Sequence, residues 1–471
     1  MRTRRIVLRL AVGLAAVLPG RAAPAQDSRA PEATPEPSDA ASLAHPDVLL
    51  IVIDDLNDWV GHLGGHPDAI TPGLDRLAER GISFTNAHAA APVCNPSRAA
   101  MLGGVRPTPT GAKRSESWET VLAGIRTLPG YFEDEGYELY GTGKIFHGDV
   151  EEVFSNYFRP EFEESVLRPD EPFVDLGAGT SNDENFDWQA LDVPDDEMPD
   201  YRRTSWIGEQ LQHPVERPTL FSIGYHLPHI PWYVPRKYFD MHPLADIHLP
   251  ETRADDLDDV PRVAQRLVSP TVHRNIVESG HWAEAVQAYL AASSFVDAQI
   301  ARLMEMLDAS PRAGRTIVAV VSDHGWHLGG KLHWRKQTLW EEATHIPYLF
   351  LIPNYEHPGT LCPHAVDTLS LYPTLCDLAG LPKPEHLEGL SLAPLVRDPD
   401  MVWDYGALTT LRGKHHALRT DRWRFIRYAE GSEELYDHDV DPHEFTNLAR
   451  DPKYRDVLVE LRAKLRALLA E

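Results

Sequence analysis

Three cysteines in 471 residues, Cys94, Cys362 and Cys376, are too few for a disulfide framework, so a packed core must hold the fold. With 42% hydrophobic and 25% charged residues, the composition is that of an ordinary soluble globular protein. The length accommodates one large α/β domain and a smaller one. Positive charge is scarce: 45 Lys and Arg face 71 Asp and Glu, a net charge of -26 at pH 7. This excludes a protein that coats nucleic acid or another polyanion, because like-signed fields repel, and an anionic ligand needs a local basic pocket. Long apolar runs are missing too. The run from Ile6 to Pro19 is shorter than a membrane span and is broken by Arg9. It follows Arg2, Arg4 and Arg5 and leads to Ala23-Pro24-Ala25, which reads as a signal peptide over 1–25 cut before Gln26. A secreted or periplasmic protein with no remaining span is expected. Residues 26–45, rich in Ala, Pro, Ser and acids, read as a disordered lead-in. No internal repeat is visible. Cys362 and Cys376 can pair in an oxidising compartment, although Cys376 lies in an apolar helical stretch that favours simple burial.

What the chain does have is chemistry at the ends of its apolar runs. Val48 to Ile53 is continuously aliphatic, the pattern of a parallel strand buried on both faces, and it delivers Asp54 and Asp55 at its carboxyl end. Thr316 to Val321 is a second such run and leads into Ser322-Asp323-His324-Gly325. Ligands of open α/β sheets collect at the carboxyl ends of strands. The spacing predicts helices over 72–80, with Thr71 as cap and Gly81 as stop, over 128–135, and over 282–307, where Val286, Tyr289, Leu290, Ile300, Leu303 and Leu307 keep the 3.6-residue period. Tyr137 to Gly141 and Phe221 to Gly224 read as strands. Glu152 to Pro199 is acidic and aperiodic, and reads as a surface insertion near the site entrance. Leu369 to Leu378 reads as a core helix ending at Gly380. Gly413 to Tyr428 alternates basic and aromatic residues as a strand does, Leu435 to Asp441 carries turn signals, and Tyr454 to Leu469 is an amphipathic helix. The expected organisation is a catalytic domain over 46–399 and a small α+β subdomain over 400–471.

Cys94-Asn95-Pro96-Ser97-Arg98 precedes a short helical run that stops at Gly103-Gly104, with Asn95 suited to the cap and Pro96 to the first helical position. Residue 94 then sits at the positive end of a helix, where an anion is favoured. Asp54, Asp55 and Asp323 supply hard carboxylate oxygens of the kind that hold Ca²⁺ or Mg²⁺. Either acid pair alone reads equally well as a solvated loop end or a capping turn; two pairs at strand ends beside a cysteine motif point to one site.

The Cys94 to Arg98 pentapeptide matches the C-x-P-S-R signature of the sulfatase family. Gly143-Lys144-Ile145-Phe146-His147, the run from Tyr225 to Trp232, Ser322 to Trp326, and Leu435-Tyr436-Asp437 with Asp441-Pro442 match further blocks in order, so that from about His45 to Leu448 the chain resembles the iduronate-2-sulfatase and choline-sulfatase branch. The resemblance implies an alkaline-phosphatase-like α/β fold, a large mixed sheet flanked by helices with a small C-terminal α+β subdomain. It implies that a maturation enzyme oxidises Cys94 to formylglycine, whose hydrate attacks the sulfur of a sulfated small molecule or oligosaccharide. One hydroxyl attacks; the second, deprotonated, expels sulfate. By the same resemblance His324 and residue 94 join Asp54, Asp55 and Asp323 around the cation, and Arg98 steadies the hydrate. Lys144 and Lys336 bind sulfate oxygens, His147 is the base, and His229 is the general acid, its ordinary pKa lying near neutrality. His226 reads as structural, and Lys331 as able to reach the same rim. Two departures stand out: Leu227 replaces a lysine of iduronate-2-sulfatase, and Gly330 a commonly acidic residue. Two other readings are a phosphoester or phosphonate ester hydrolase of the same superfamily and an unmodified sulfoglycan-binding protein.

Overall fold

The aliphatic run Asp47–Ile53 forms β1, buried along its whole length, in a computed structural model that describes residues 45–107, 116–148, 150–160, 174 and 186–469. The expected signal peptide and nearly all of the lead-in lie outside the described residues. Seven further strands complete the main sheet: β2 (Ile82–His88), β3 (Glu138–Gly143), β4 (Asn156–Phe158), β5 (Thr219–Tyr225), β6 (Thr316–Ser322), β7 (Tyr348–Leu351) and β8 (Thr360–Asp367). Their order is β8-β2-β7-β6-β1-β5-β3-β4, and only β7 runs antiparallel to its neighbours. The carboxyl ends of the other strands therefore share one edge.

Alternate residues of β1 enter different cores. Leu49, Ile51 and Ile53 pack with helices α1 (Pro72–Arg80), α3 (Pro199–Leu211) and α4 (Trp282–Asp308). Val48, Leu50 and Val52 pack with α2 (Cys94–Gly103) and α5 (Leu371–Ala379). Each such buried side chain contributes about 1.5–3 kcal/mol, which holds the sheet rigid beneath the loops at its edge. The bounds of α1 match the expected 72–80, but its cap is different. Thr71 Oγ1 accepts from Gly61 N–H at 2.8 Å, and the helix amides of Gly73 and Leu74 donate instead to the buried carboxylate of Asp297, at 2.8 and 2.7 Å.

The segment 152–199 departs from the expected irregular insertion where it is described. Asn156–Phe158 is the edge strand of the main sheet, too short to show a period, and Trp188–Leu191 pairs in parallel with Trp232–Pro235. The C-terminal sheet is an antiparallel meander of β9 (Ala407–Leu411), β10 (His415–Arg419), β11 (Trp423–Arg427) and β12 (Glu433–Asp437). The span 413–428 is thus two strands, and Leu435 to Asp437, expected as turn, lies in a third. One face of this sheet packs on α6 (Arg455–Leu469) through Leu408, Leu418, Phe425, Leu435 and Leu461. Its other face packs Ala417, Ile426 and Tyr436 against Val93, Leu339 and Trp340. Cys362 and Cys376 are both buried free thiols.

Candidate functional site

Five loops meet at the carboxyl edge of the sheet, after β1, β2, β3, β5 and β6. The chain leaves β1 at Asp54 and turns at Asp55, which takes the left-handed region (φ 66°), tolerated by Asp better than by most residues. Tyr289 of α4 fixes that turn: its hydroxyl donates to Asp55 O at 2.8 Å and accepts from Asn57 N–H at 2.9 Å. After β6, Asp323 accepts the Asp55 amide at 3.1 Å on Oδ1 and pairs with Arg98 Nε at 2.7 Å on Oδ2. After β3, a close approach of Gly143 and Gly224 lays Lys144 over β5; a Cβ on Gly224 would sit 2.1 Å from the Lys144 backbone. Arg98, with its side chain fully buried, ion-pairs with Asp54 at 3.5 Å and donates to the carbonyls of Lys144 and, at 3.1 Å, Ile145.

Cys94 opens α2. The cap is Val93 in extended backbone rather than Asn95, whose amide donates to Glu116 O at 2.5 Å; Pro96 occupies the third helical position, still within the first turn where its missing N–H costs nothing. Cys94 Sγ accepts from Lys336 Nζ at 2.9 Å and lies 3.2 Å from His324 Nε2. Lys336 Nζ also pairs with Asp55 Oδ1 at 2.6 Å, and Lys144 Nζ pairs with Asp54 Oδ2. His324 donates from Nδ1 to Gly325 O at 3.0 Å, which turns Nε2 toward Asp55 Oδ1 at 3.4 Å. His229 likewise donates from Nδ1 to Ile230 O at 2.7 Å and holds Nε2 3.8 Å from Asp55 Oδ2. Asp54, Asp55, Cys94 and His324 place one donor atom each within 4.8 Å of one another, with the Asp323 carboxylate alongside. His147 is half-buried. Among the described residues it makes no hydrogen bond or ion pair with Cys94, Lys144 or the carboxylates.

The charges follow from this crowding. Burial works against a charged Asp54, but Lys144, His229, Arg98 and Lys336 together hold its carboxyl well below the usual range. Burial dominates at Asp55, raised to about 7 despite Lys336. Burial also disfavours protonated His324, but Asp323 and Asp55 overcome it and lift the imidazole to about 9. Burial and then Asp54 oppose ionisation of the Cys94 thiol, yet Lys144, Lys336 and His324 bring it well below its ordinary value. His229 departs from expectation: burial, then Lys144, push it well below neutrality, because cations surround it.

Lys331 and His226 depart from expectation. Lys331 does not reach this rim; it is buried against Asp256 at 2.8 Å and the Glu444 carbonyl, beneath the C-terminal sheet. His415 and His416 of β10 make local bonds to Ala429 N–H at 3.2 Å and Thr410 Oγ1 at 3.1 Å. His226, taken as structural, lies with its ring centroid 4.9 Å from that of His229 and places a donor atom near Asp54. Asp200 accepts the amides of His226 and Leu227 at 3.2 and 3.3 Å and so sets this loop; its spacing from His229 in sequence gave no signal.

The sulfatase family model matches residues 46–381, and a second model, N-sulphoglucosamine sulphohydrolase C-terminal, matches 329–471. A sulfatase of Formosa agariphila is 36% identical over 440 residues, 89% of this chain and 86% of the relative. The chain belongs to the sulfatase family. Human iduronate 2-sulfatase is 30% identical over 72% of this sulfatase and 69% of its own length. The phosphonate monoester hydrolase of Agrobacterium radiobacter shares the fold, with a TM-score of 0.74, 22% identity and coverage of 90% of this chain and 95% of that one. The enzyme is thus a sulfate-ester hydrolase with the alkaline-phosphatase-like architecture, a large mixed sheet with helices and a small C-terminal sheet. As a test of whether a divalent cation fits, Asp54 Oδ1 and Asp55 Oδ2 are buried and accept no hydrogen bond, and the donor set is carboxylate oxygen with one imidazole. Hard, orphaned oxygens suit Ca²⁺ or Mg²⁺. Of the two departures in this sulfatase, Gly330 has a local cause: the carboxylate of Glu342 fills the place a Cβ would take, 1.7 Å away, and meets His327 at 3.1 Å.

Proposed function

We propose that this sulfatase hydrolyses sulfate esters of sugars or glycan fragments, using formylglycine made from Cys94 and a Ca²⁺ or Mg²⁺ ion held by Asp54, Asp55, Asp323, His324 and residue 94. The observation that carries the reading is Cys94 Sγ at a helix N-terminus, 2.9 Å from Lys336 and 3.2 Å from His324, beside the two strand-end aspartates. When present, the aldehyde hydrate supplies two hydroxyls on one carbon, and the ion supplies positive charge against the ester oxygens.

The chain's own groups do the rest. Lys144 and Lys336, each partly reaching the surface, bind the sulfate oxygens as point charges. Arg98 is wholly buried and holds Asp323, Asp54 and the Lys144 backbone in place. His229 keeps Nδ1 on a carbonyl and therefore presents Nε2, the atom that gives its proton to the departing alcohol; the negative charge of a bound sulfate raises its affinity for that proton. His147 takes the proton from the nucleophilic residue.

Sugar esters are favoured by the relatives, one of which is named for iduronate. Leu227 in place of a lysine removes one cation beside His229 and argues for a sugar other than iduronate itself. Secretion or export to the periplasm follows from the leader over 1–25, with a maturation enzyme as transient partner, a catalytic domain over 46–399 and a subdomain over 400–471. Among the described residues no helix is long and apolar enough to cross a membrane. A panel of defined glycosaminoglycan and algal oligosaccharides tests the substrate class: release of sulfate from at least one is expected, and turnover of aryl sulfate alone would overturn it. The second reading, a phosphonate or phosphate ester hydrolase, draws on the shared fold with the Agrobacterium enzyme. Faster turnover of aryl phosphonate than of aryl sulfate would favour it.

A further inference from the structure

The loop that carries Lys336 holds an unfavourable backbone. Lys331, Leu332, Arg335 and Gln337 all have positive φ, at 54°, 49°, 80° and 76°. Side-chain-bearing residues stay in that region only where their surroundings over-determine it. Trp282 of α4 holds the start of the loop through Leu328 O at 2.8 Å, and His273 meets Trp334 Nε1 at 3.1 Å, but past Lys336 the surroundings belong largely to the C-terminal sheet. Arg424 of β11, fully buried, donates from Nη1 to Leu339 O at 3.0 Å and from Nη2 to Thr344 Oγ1 at 3.1 Å, and it ion-pairs with Glu341 and, at 2.5 Å, Glu444. Glu444 returns to the loop by accepting the Glu341 amide at 2.9 Å, and Glu434 of β12 accepts Trp340 Nε1–H at 2.8 Å. On the active-site side, Gln337 N–H donates to Pro92 O at 3.1 Å, and within the loop His333 Nε2 donates to Lys336 O at 3.0 Å. The same sheet face packs on Val93, the residue before the nucleophile. Glu341, His438 and Glu444 also converge closely enough to suggest a cation site, but the Arg424 guanidinium ion-pairs with both of its carboxylates and supplies their counter-charge.

We propose that Arg424, locked by Glu444, is a positioning residue for Lys336, so that the C-terminal sheet sets the geometry of the sulfate-binding lysine from behind. The guanidinium grips the loop three residues beyond Lys336, and Lys331, five residues before it, is tied to the Glu444 carbonyl. Loss of the grip frees the left-handed residues to relax, which withdraws Nζ from Cys94 and Asp55. The inference rests on the assignment of Lys336 to sulfate binding in the reading above. Arg424→Lys keeps the charge but loses the forked contacts.

The test is a double-mutant cycle on kcat/KM for an aryl sulfate, using the mature full-length enzyme. Arg424→Lys is expected to lower kcat/KM about 100-fold, the scale of a misplaced catalytic group. In a Lys336→Ala background the same change is expected to cost less than about threefold, since its target is gone. Equal losses in both backgrounds overturn the proposal, because a role in general stability adds independently. No effect of Lys336→Ala overturns the assignment of Lys336 first, which distinguishes the two failures. If Arg424→Lys does not fold, Glu444→Gln, which keeps shape and removes one charge, carries the same comparison with the same outcomes.

Discussion

Two buried charge clusters flank the loop Gly329 to Thr344, and they are built to opposite rules. At the edge of the main sheet, Asp54, Asp55 and Asp323 face Lys144, Lys336 and Arg98, yet Asp54 Oδ1 and Asp55 Oδ2 accept no hydrogen bond. Beneath the small sheet, Glu341 and Glu444 close on Arg424, and His438 adds a contact of 3.1 Å to Glu444. Buried oxygens with an ion pair but no hydrogen bond, as in the first, suit a ligand; carboxylates closed directly on a guanidinium, as in the second, make a joint. Burying charge is expensive in either case, so each cluster persists through what it holds. In the proposed function the first holds the ester and the ion; the second holds the loop between them.

The largest effects test the first cluster. Cys94→Ala is expected to abolish turnover with an unchanged circular dichroism spectrum, because the nucleophile is lost and α2 is not. Residual activity above a few per cent would break the comparison at its base. Chelation is expected to remove activity and Ca²⁺ or Mg²⁺ to restore it, while the second cluster, which takes no ion, leaves secondary structure unchanged by spectroscopy. Lys336→Ala is expected to cost about 10²–10³-fold in kcat/KM, the scale of one lost anion-stabilising donor.

His229 sharpens the comparison through pH. A general acid works only while protonated, and burial with Lys144 places the free-enzyme His229 below its ordinary value. The pH profile of kcat/KM is therefore expected to fall as pH rises through a limb below about 6.5, and the kcat limb to lie higher, since bound sulfate adds negative charge. Flat profiles from about pH 5 to 8 would contradict the role. The smallest effect concerns the joint's rim: Gly330→Asp sets a carboxylate against Glu342, whose flexible end can yield, and is expected to lower stability by about 1 kcal/mol, read by denaturant melting.

Much of the first cluster was legible in the sequence because its residues come in adjacent pairs at the ends of aliphatic runs. β1 and β6 announced themselves by continuous burial, and Asp54-Asp55 and Asp323-His324 by following them. Helices such as Pro72–Arg80 were legible from Pro and Gly punctuation, though not the cap supplied by Asp297 from α4. The second cluster was not legible. Glu341, Arg424, His438 and Glu444 are single charged residues from separate elements, each ordinary in its own segment, and only tertiary packing joins them. The same reason misplaced Lys331, whose stem and charge go to Asp256 and not to the rim. Asn156–Phe158 escaped notice because three residues carry no period, and Trp188–Leu191 because its partner strand lies some forty residues on.

The account turns on the chemical identity of residue 94 in working enzyme. Mass spectrometry of the peptide spanning that position, taken from a fully active preparation, should find the aldehyde or its hydrate in place of the thiol. An active preparation in which that peptide carries only unmodified cysteine would contradict it.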